Sequence, residues 1–264
     1  MAENFLSSAG ALRRLVGQSS KKDYFMDGSQ QDICEFLEIL LEELEKELSK
    51  KDMEKEGVDK EYFEENTDKD NILHKFWGIE EHHKKFTDTK SGCCHECGQF
   101  PNKVIDKFNS IKIHVQPRSM TTSLSSLIDE HYSSNRTVLE MKCSKCNNGG
   151  NKLVSSTAKV VKSPDFLIVY LLRFPYYDQE KVTSVVLPER KLTLTNGDTF
   201  ELLGISDHLG SRISNGHYTA TVKQIEGWML CNDDMVSKYE KSLIKGENNY
   251  VHIYVKTNKN DKKN

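Results

Sequence analysis

Two cysteine pairs constrain the fold of this chain more than any other feature. Each pair has the spacing Cys-x-x-Cys, and residues 98–142 separate them; the four cysteines are Cys94, Cys97, Cys143 and Cys146. Two intervening residues let both thiolates of one tight turn face the same metal ion, and two such turns complete a tetrahedral zinc site with Zn–S distances of about 2.3 Å. The sequence therefore predicts one structural Zn2+ with four cysteine ligands, held at the tips of two long hairpins that lie side by side.

The total cysteine count supports a metal site over a disulfide framework. The chain has seven cysteines, an odd number, and its N-terminus lacks the layout of a secretory signal. Free thiols are the alternative to zinc, and Cys93 is a possible substitute ligand whose spacing to Cys97 fits less well. Four thiolates leave no open position for water, so the predicted zinc holds the structure together and performs no chemistry.

The charge balance narrows the range of partners. The chain has 37 Lys and Arg against 40 Asp and Glu, a formal net charge of −3. A nucleic-acid binder shows a basic excess, so a zinc-dependent nucleic-acid binder is disfavoured. No apolar run approaches the roughly 18 residues that a membrane helix needs. We expect no nucleic-acid or membrane partner, and a cytoplasmic or nuclear location.

Residues 29–48 are predicted to form an amphipathic helix, because apolar side chains recur at three- and four-residue spacing. These side chains are Ile33, Phe36, Leu37, Leu40, Leu44 and Leu48. Ser29 is the expected N-cap, with Asp32 as its capping-box partner. The charged stretch 45–70 lacks apolar periodicity, which predicts a solvated helix end followed by a flexible surface insertion.

Strands dominate the second half of the sequence. The predicted strands cover 107–115, 166–174, 181–188, 201–210, 217–225 and 250–256. The charged tail 258–264 has no apolar anchor and is predicted to be disordered. A helical beginning followed by an antiparallel β body indicates an α+β fold in a single domain.

A histidine segment near the C-terminus is a candidate for catalysis. His217 follows Gly216 at the start of a predicted strand, which suggests open backbone space in front of its ring. Asn232 and Asp233 follow the next apolar run, so a hairpin could bring a carboxamide or carboxylate to the imidazole. Such a partner fixes the tautomer of a histidine that acts as base to a thiol or hydroxyl. A purely structural histidine is the alternative.

Five segments resemble, in order and spacing, motifs of the ubiquitin-specific protease family of deubiquitinases. They are residues 30–36, 76–78, 164–174, 215–220 and 228–233. The resemblance implies a papain-like cysteine-protease fold of the hand type. A partial helical thumb would cover 1–75, zinc-tipped β fingers 76–162, and an antiparallel β palm with the histidine box 163–257. The sequence departs from the family pattern at Cys34, Leu172 and Cys231, where the family usually has His, Lys and Phe.

The resemblance also implies an activity and a set of site residues. The family hydrolyses the isopeptide bond at the C-terminus of ubiquitin through a thioester, so ubiquitin or ubiquitinated proteins are the implied partners. His217 would be the base, Asn232 would orient it, and Asp233 would be a second polar group beside it. The residues implied to bind the ubiquitin tail are Gln31, Asp32, Glu35, Gly216 and Tyr218. Acidic side chains suit the arginines of that tail, and Asp32 can cap the helix as well.

The family's cysteine box, an N-x-G-N-T-C-Y type segment, has no counterpart before Gln30. Residues 1–29 contain no cysteine, and 3–17 resemble the variable helix that follows the box in the family. We therefore expect an N-terminally truncated domain that is inactive alone. The alternatives are a natural pseudoenzyme that binds ubiquitin and a site completed by another chain. Cys34 and Cys231 lie in apolar surroundings and are expected to be small core residues, not replacements for the nucleophile.

Overall fold

An eight-stranded sheet, the palm sheet, forms the centre of the molecule. The computed structural model describes residues 2–26, 31–56, 76–86, 103–117, 119–134, 137–141, 152–175, 180–239 and 246–257. The helices are α1 Ala2–Ser20, α2 Ile33–Glu56 and α3 Leu124–Ser134. The strands in chain order are β1 Ile79–Phe86, β2 Lys103–Phe108, β3 Ile111–His114, β4 Thr122–Ser123, β5 Thr137–Met141, β6 Lys152–Lys162, β7 Phe166–Leu172, β8 Val186–Leu187, β9 Lys191–Thr193, β10 Thr199–Arg212, β11 Asn215–Gln224, β12 Gly227–Asn232, β13 Met235–Lys238 and β14 Asn249–Lys256.

The palm sheet is antiparallel apart from one pair and is covered by helices on both faces. Its strand order is β13-β12-β11-β10-β14-β7-β3, with β9 added beside β10 and β3 parallel to β7. Strand β7 shows the two faces, because successive side chains point to opposite sides. Leu167, Val169 and Leu171 pack in the core that includes α3, whereas Ile168 and Tyr170 pack against α2. The continuous apolar run of β7 is thus explained by burial on both faces.

Helix α2 lies between the palm sheet and α1. One side of the helix places Cys34 and Leu41 against Tyr170 and Tyr250 of the sheet. Another side packs Ile39 against Val16 of α1 and against Phe25 of the connecting 3-10 turn. The α1–α2 pair fixes the N-terminal end of α2 over the palm sheet, which brings the first turn of α2 to the candidate site.

A second, four-stranded sheet, the finger sheet, has the order β2-β1-β6-β5. Hairpin β1–β2 flanks the segment 87–102, and hairpin β5–β6 flanks the segment 142–151. Strands β1 and β6 pair antiparallel, with Phe86 opposite Ser155. Both flanked segments therefore leave the sheet at the same end.

The helix boundaries differ from the sequence prediction. Helix α2 begins at Ile33, not at residue 29, because Asp32 itself is the cap: its Oδ1 accepts the Cys34 N–H at 2.7 Å. Ser29, the expected N-cap, lies outside the described residues. The helix also continues to Glu56, into the stretch predicted to be a flexible insertion. Glu and Lys are strong helix formers, so a charged stretch can stay helical without an apolar face. Leu44, predicted to be part of that face, is 43% exposed.

Two predicted strands are also divided differently. Residues 107–115 form β2 and β3, which lie in different sheets and are separated by the bend at 109–110. In 181–188 only β8 is a strand, since Lys181 and Val182 donate their backbone N–H groups to Ser211 and Arg173. The predicted finger range also contains β3, which belongs to the palm sheet, and the unpredicted α3, which packs on the palm core. In the part of the chain that is described, no helix is long and apolar enough to cross a membrane.

Candidate active site

Three neighbouring strands of the palm sheet carry the candidate catalytic side chains. Hairpin β10–β11 turns at 213–214, and β11 continues through the turn at 225–226 into β12. Ala220 pairs with Cys231, so the next position of β12, Asn232, faces the same side of the sheet as Thr219. His217 lies two residues farther along that side, at the diagonal distance that long side chains can bridge. The register alone thus brings Asn232 to His217.

The His217 imidazole and the Asn232 carboxamide form a short hydrogen bond. His217 Nε2 and Asn232 Oδ1 are 2.6 Å apart, and both side chains are half-buried. A carboxamide oxygen can only accept, so the hydrogen lies on Nε2 and Nδ1 keeps its lone pair. The contact expected from the sequence is present, and the arrangement leaves Nδ1 able to take a proton from a thiol.

Asp233 lies beyond this pair. It is exposed in the turn 233–234 and has φ +50°, a left-handed conformation that aspartate tolerates. Within the described residues no hydrogen bond joins its carboxylate to His217. The strand end therefore places Asn232, and not Asp233, against the imidazole.

Asp32 is engaged by the protein on both carboxylate oxygens. Oδ1 caps α2, and Oδ2 accepts a hydrogen bond from the Tyr250 hydroxyl at 2.8 Å. Asp32 is thus the N-cap itself, whereas the sequence analysis expected it to be the capping-box partner of Ser29. The Tyr250 contact ties the first turn of α2 to the palm sheet, because Tyr250 is the second residue of β14.

Glu35 and Gln31 contact the segment that joins α1 to α2. Glu35 Oε1 accepts a hydrogen bond from the Tyr24 hydroxyl at 2.5 Å and lies 3.3 Å from Lys22 Nζ. Gln31 donates from Nε2 to the Tyr24 carbonyl at 3.1 Å. The Glu35 side chain is 43% exposed. Its carboxylate is therefore held by neighbours yet open to a further cation.

Gly216 and Tyr218 surround a buried histidine that the sequence analysis did not identify. The space that a side chain at position 216 would occupy is filled by the His208 ring. A Cβ added to Gly216 would lie 2.6 Å from His208 Cε1. Tyr218 stands opposite His208 in the β10–β11 ladder, and their rings are 4.9 Å apart in an edge-to-face arrangement. In the sequence analysis only Gly216-His217-Tyr218 was interpreted as part of this site. The strand register identifies their neighbour on β10 as His208.

A group of charged side chains, which we call the buried ion cluster, consists of the buried Arg173 and Lys181 and the half-buried Asp207. Arg173 is fully buried and donates to four backbone carbonyls. These are Asn249 O at 2.6 Å, Val182 O at 2.9 Å, Ser184 O at 2.8 Å and Gly246 O at 2.7 Å. Lys181 Nζ donates to the His208 carbonyl and to Asn248 Oδ1. A charged residue that continues an apolar strand, as Arg173 does, was the sequence signal for this cluster.

Burial sets the protonation behaviour of the cluster. Burial, followed by repulsion from the Arg173 guanidinium, lowers the pKa of Lys181 to about 8. Burial raises the pKa of Asp207, although the charges of Lys181 and Arg173 oppose this shift. Burial, with a further contribution from Lys181, lowers the pKa of His208, so its ring is neutral near pH 7. The cluster thus holds strand ends and loops in place and leaves His208 uncharged.

Neither described cysteine is arranged as a nucleophile for His217. Cys34 is buried in the α2–sheet core, and burial together with the Asp32 charge raises the pKa of its thiol, the opposite of what a nucleophile needs. Cys231 precedes Asn232 on β12, so its side chain points to the other face of the sheet. The zinc ligands proposed from the sequence, Cys94, Cys97, Cys143 and Cys146, lie outside the described residues.

Known proteins are similar in sequence to this chain. Residues 7–254 match the family model described as ubiquitin carboxyl-terminal hydrolase. Ubiquitin carboxyl-terminal hydrolase 4 of Arabidopsis thaliana is 28% identical over 89% of this chain and 68% of its own length. Ubiquitin carboxyl-terminal hydrolase 12 of Salmo salar is 32% identical over 39% of this chain and 30% of its own length.

Solved structures share the fold. The SAGA Ubp8/Sgf11/Sus1/Sgf73 DUB module bound to ubiquitin aldehyde matches 92% of this chain with a TM-score of 0.66 and 20% identity. A Ubp8-Sgf11-Sgf73-Sus1 SAGA DUB module matches 89% with a TM-score of 0.64 and 19% identity. The chain spans about half of each matched structure, 53% and 52%. The mixed α+β architecture is therefore that of deubiquitinase domains. Since the family model extends over α2, both sheets and the His217–Asn232 strands, the chain belongs to the ubiquitin carboxyl-terminal hydrolase family, in its ubiquitin-specific protease branch.

Proposed function

We propose that this chain is the histidine- and asparagine-bearing part of a cysteine-type deubiquitinase that hydrolyses isopeptide bonds at the ubiquitin C-terminus. The observation that carries the proposal is the 2.6 Å contact between His217 Nε2 and Asn232 Oδ1. Family membership supplies the substrate class, and this contact supplies the base and the group that orients it.

In the proposed reaction His217 takes the thiol proton through Nδ1 while Asn232 holds Nε2–H. The thiolate attacks the carbonyl carbon of the terminal ubiquitin glycine, and His217 returns the proton to the leaving lysine amine. Water then attacks the thioester and gives a proton to His217; the C–S bond breaks, ubiquitin leaves with a free carboxylate, and the thiolate is regenerated beside the protonated imidazole. Asn232 keeps the imidazole oriented in both steps because its oxygen accepts from the ring in either protonation state.

The nucleophile of this reaction must come from a segment other than residues 1–33, which contain no cysteine. Cys34 is excluded by its burial in the α2–sheet core. Alone, the chain should therefore bind ubiquitin without cleaving it. The burial of Cys34 also supports the second candidate function, a catalytically inactive protein that binds ubiquitin or acts as a scaffold.

The ubiquitin tail is proposed to bind along the first turn of α2. Asp32 and Glu35 lie one helical turn apart and so share one side of the helix. Glu35 has the exposed carboxylate, so it is the acid available to pair with an arginine of the tail. Asp32 would act mainly by fixing the helix start, since both of its oxygens already accept hydrogen bonds.

We also propose one structural Zn2+ bound by Cys94, Cys97, Cys143 and Cys146. The support comes from the finger sheet: the β1–β2 and β5–β6 hairpins are neighbours, and the segments that contain the two pairs leave the sheet at the same end. Four thiolates brought to one place suit tetrahedral zinc. The expected stoichiometry is one ion per chain, lost with a fall in stability when a strong chelator is added.

The proposed function is tested by comparing the 264-residue chain with the protein isolated from its own cells. Both are assayed for ubiquitin binding by calorimetry and for hydrolysis of a ubiquitin–fluorophore amide, and the intact mass of the native protein is compared with 30.3 kDa. We expect binding by both, and thiol-dependent hydrolysis only by a native form that carries an additional cysteine segment. Binding without hydrolysis by a native protein of 30.3 kDa would support the inactive scaffold. An absence of binding by both would contradict the proposed function.

A further inference from the structure

His208 is held rigidly by both its backbone and its side chain. Its N–H donates to the Asn248 carbonyl at 2.9 Å, and its own carbonyl accepts from Lys181 Nζ. The ring is 1% exposed and meets Phe174 and Tyr250 at centroid distances of 5.2 and 5.9 Å. The imidazole is therefore held in one position, packed against hairpin β10–β11.

The backbone of β11 packs directly against the His208 ring. A Cβ on Gly216 would lie 2.6 Å from His208 Cε1 and 2.7 Å from the Leu209 carbonyl oxygen. Gly210, with φ +146°, approaches from the other strand, and a Cβ there would lie 2.8 Å from Gly216 Cα. Both strands of the hairpin thus lack a side chain where they contact the imidazole. The ring therefore determines how closely the backbone at residue 216 can approach β10.

The residue that follows this contact is the proposed base. His217 stands opposite Leu209, and Tyr218 stands opposite His208, so the supported position immediately precedes His217. The His217–Asn232 hydrogen bond joins two strands and depends on the position of the β11 backbone. Hydrogen bonds weaken steeply as distance and angle depart from their optimum. A small displacement at Gly216 would therefore break it.

We propose that His208 is a positioning residue that fixes His217 against Asn232 by supporting the β11 backbone at Gly216. The role depends on the shape of the ring and not on its titration, because His208 Nδ1 is buried without a partner among the described residues. The geometry stands by itself; its importance for hydrolysis rests on the proposed function.

The test uses NMR of the full chain and follows the ring N–H proton of His217. This proton is visible only while its hydrogen bond protects it from exchange, and its disappearance in Asn232→Ala identifies it. We expect the signal to be lost in His208→Ala, which removes the support, and in Gly216→Ala, which pushes the backbone away from it. His208→Phe keeps a ring in place and should retain the signal. His208→Asn replaces the alanine variant if that variant does not fold.

A matched control separates positioning from general loss of stability. Leu202, 2% exposed on the same strand β10, packs in the core away from His217, so Leu202→Ala should lower the melting temperature and retain the signal. Retention of the signal in a folded His208→Ala variant would overturn the inference, as would its loss in Leu202→Ala. Ubiquitin binding is measured separately, so a failure of the proposed function leaves the NMR result interpretable.

Discussion

The palm sheet contains two polar regions that differ in almost every physical property. The buried ion cluster is enclosed, and Arg173 satisfies its guanidinium with four backbone carbonyls. The His217–Asn232 pair is half-exposed, and among the described residues its hydrogen bond leaves His217 Nδ1 without a partner. The guanidinium of Arg173, which holds the fold, is buried and fully paired, because an unpaired buried charge is costly. Polar groups that perform chemistry keep an unpaired atom, which the substrate or nucleophile then uses.

The largest effect should follow removal of the guanidinium from the cluster. Arg173→Met removes the guanidinium donor from four backbone carbonyls, one of which, Gly246 O, still accepts from the Val186 N–H, so we expect a loss of about 3–5 kcal/mol in the free energy of unfolding. Arg173→Lys should recover only part of this loss, since one ammonium cannot reach carbonyls on several segments. Urea unfolding followed by circular dichroism measures the change.

Arg190 is the matched control for this experiment. It is an exposed arginine next to β9, and Arg190→Met should change the stability by less than about 0.5 kcal/mol. Equal losses for the two methionine variants would mean that arginine in general, and not the saturated buried site, stabilises the protein.

A second buried polar group, His252, tests whether burial alone makes the stability depend on pH. His252 is fully buried on β14, and burial lowers its pKa to about 3. Below pH 6.5 the unfolded chain binds a proton that the folded chain excludes, so stability falls as the pH decreases from 6.5 towards 3. The slope from this one group approaches about 1.4 kcal/mol per pH unit.

His252→Leu removes the titration while keeping a side chain of similar volume. Thermal unfolding measured between pH 4 and 7 should show a shallower acid loss in this variant than in the parent. Part of the acid dependence should persist, because the pKa of His208 is also lowered by burial. Identical slopes for the two proteins would show that the pKa of His252 is not lowered in the folded state.

The sequence could predict much of the fold because the apolar patterns were strong. The run 166–174 predicted a buried strand, and β7 is buried on both faces as that run requires. The end of α2 was wrong because a charged stretch of helix formers has no apolar face to reveal it. Helix α3 was missed inside a region whose short alternating runs suggested strands only.

For the candidate site, local motifs revealed His217 and Asn232 but not what supports them. The ladder between β10 and β11 brings His208 to Gly216, and neither residue indicates the other from its own neighbourhood in the sequence. Lys181 and Arg173 contact loops far away in the chain, so their partners depend on the assembled sheet. The glycine was noted, but its neighbour His208 was not, because periodicity says nothing about cross-strand neighbours.

A smaller effect is expected at Asp32, which combines structural and proposed binding roles. Asp32→Ala removes the α2 cap and the acceptor of the Tyr250 hydroxyl, so a loss of about 1–2 kcal/mol is expected in chemical unfolding. Asp32→Asn keeps a capping oxygen and should lose less than half as much. If both variants lose equally, the charge and not the cap stabilises the helix start.

The smallest effect on stability, and the sharpest contrast with Arg173, is expected at Asn232. Asn232→Ala removes one hydrogen bond from a half-exposed pair, so the free energy of unfolding should change by less than about 0.5 kcal/mol. In a form of the protein that carries the nucleophile, ubiquitin–fluorophore hydrolysis should fall by about 10²–10⁴-fold, because the imidazole loses its orientation. Ser237→Ala, on the exposed strand β13, provides the control and should leave both quantities unchanged. A large loss of stability in Asn232→Ala would place the pair with the buried ion cluster, as a structural contact and not as the base of a hydrolase.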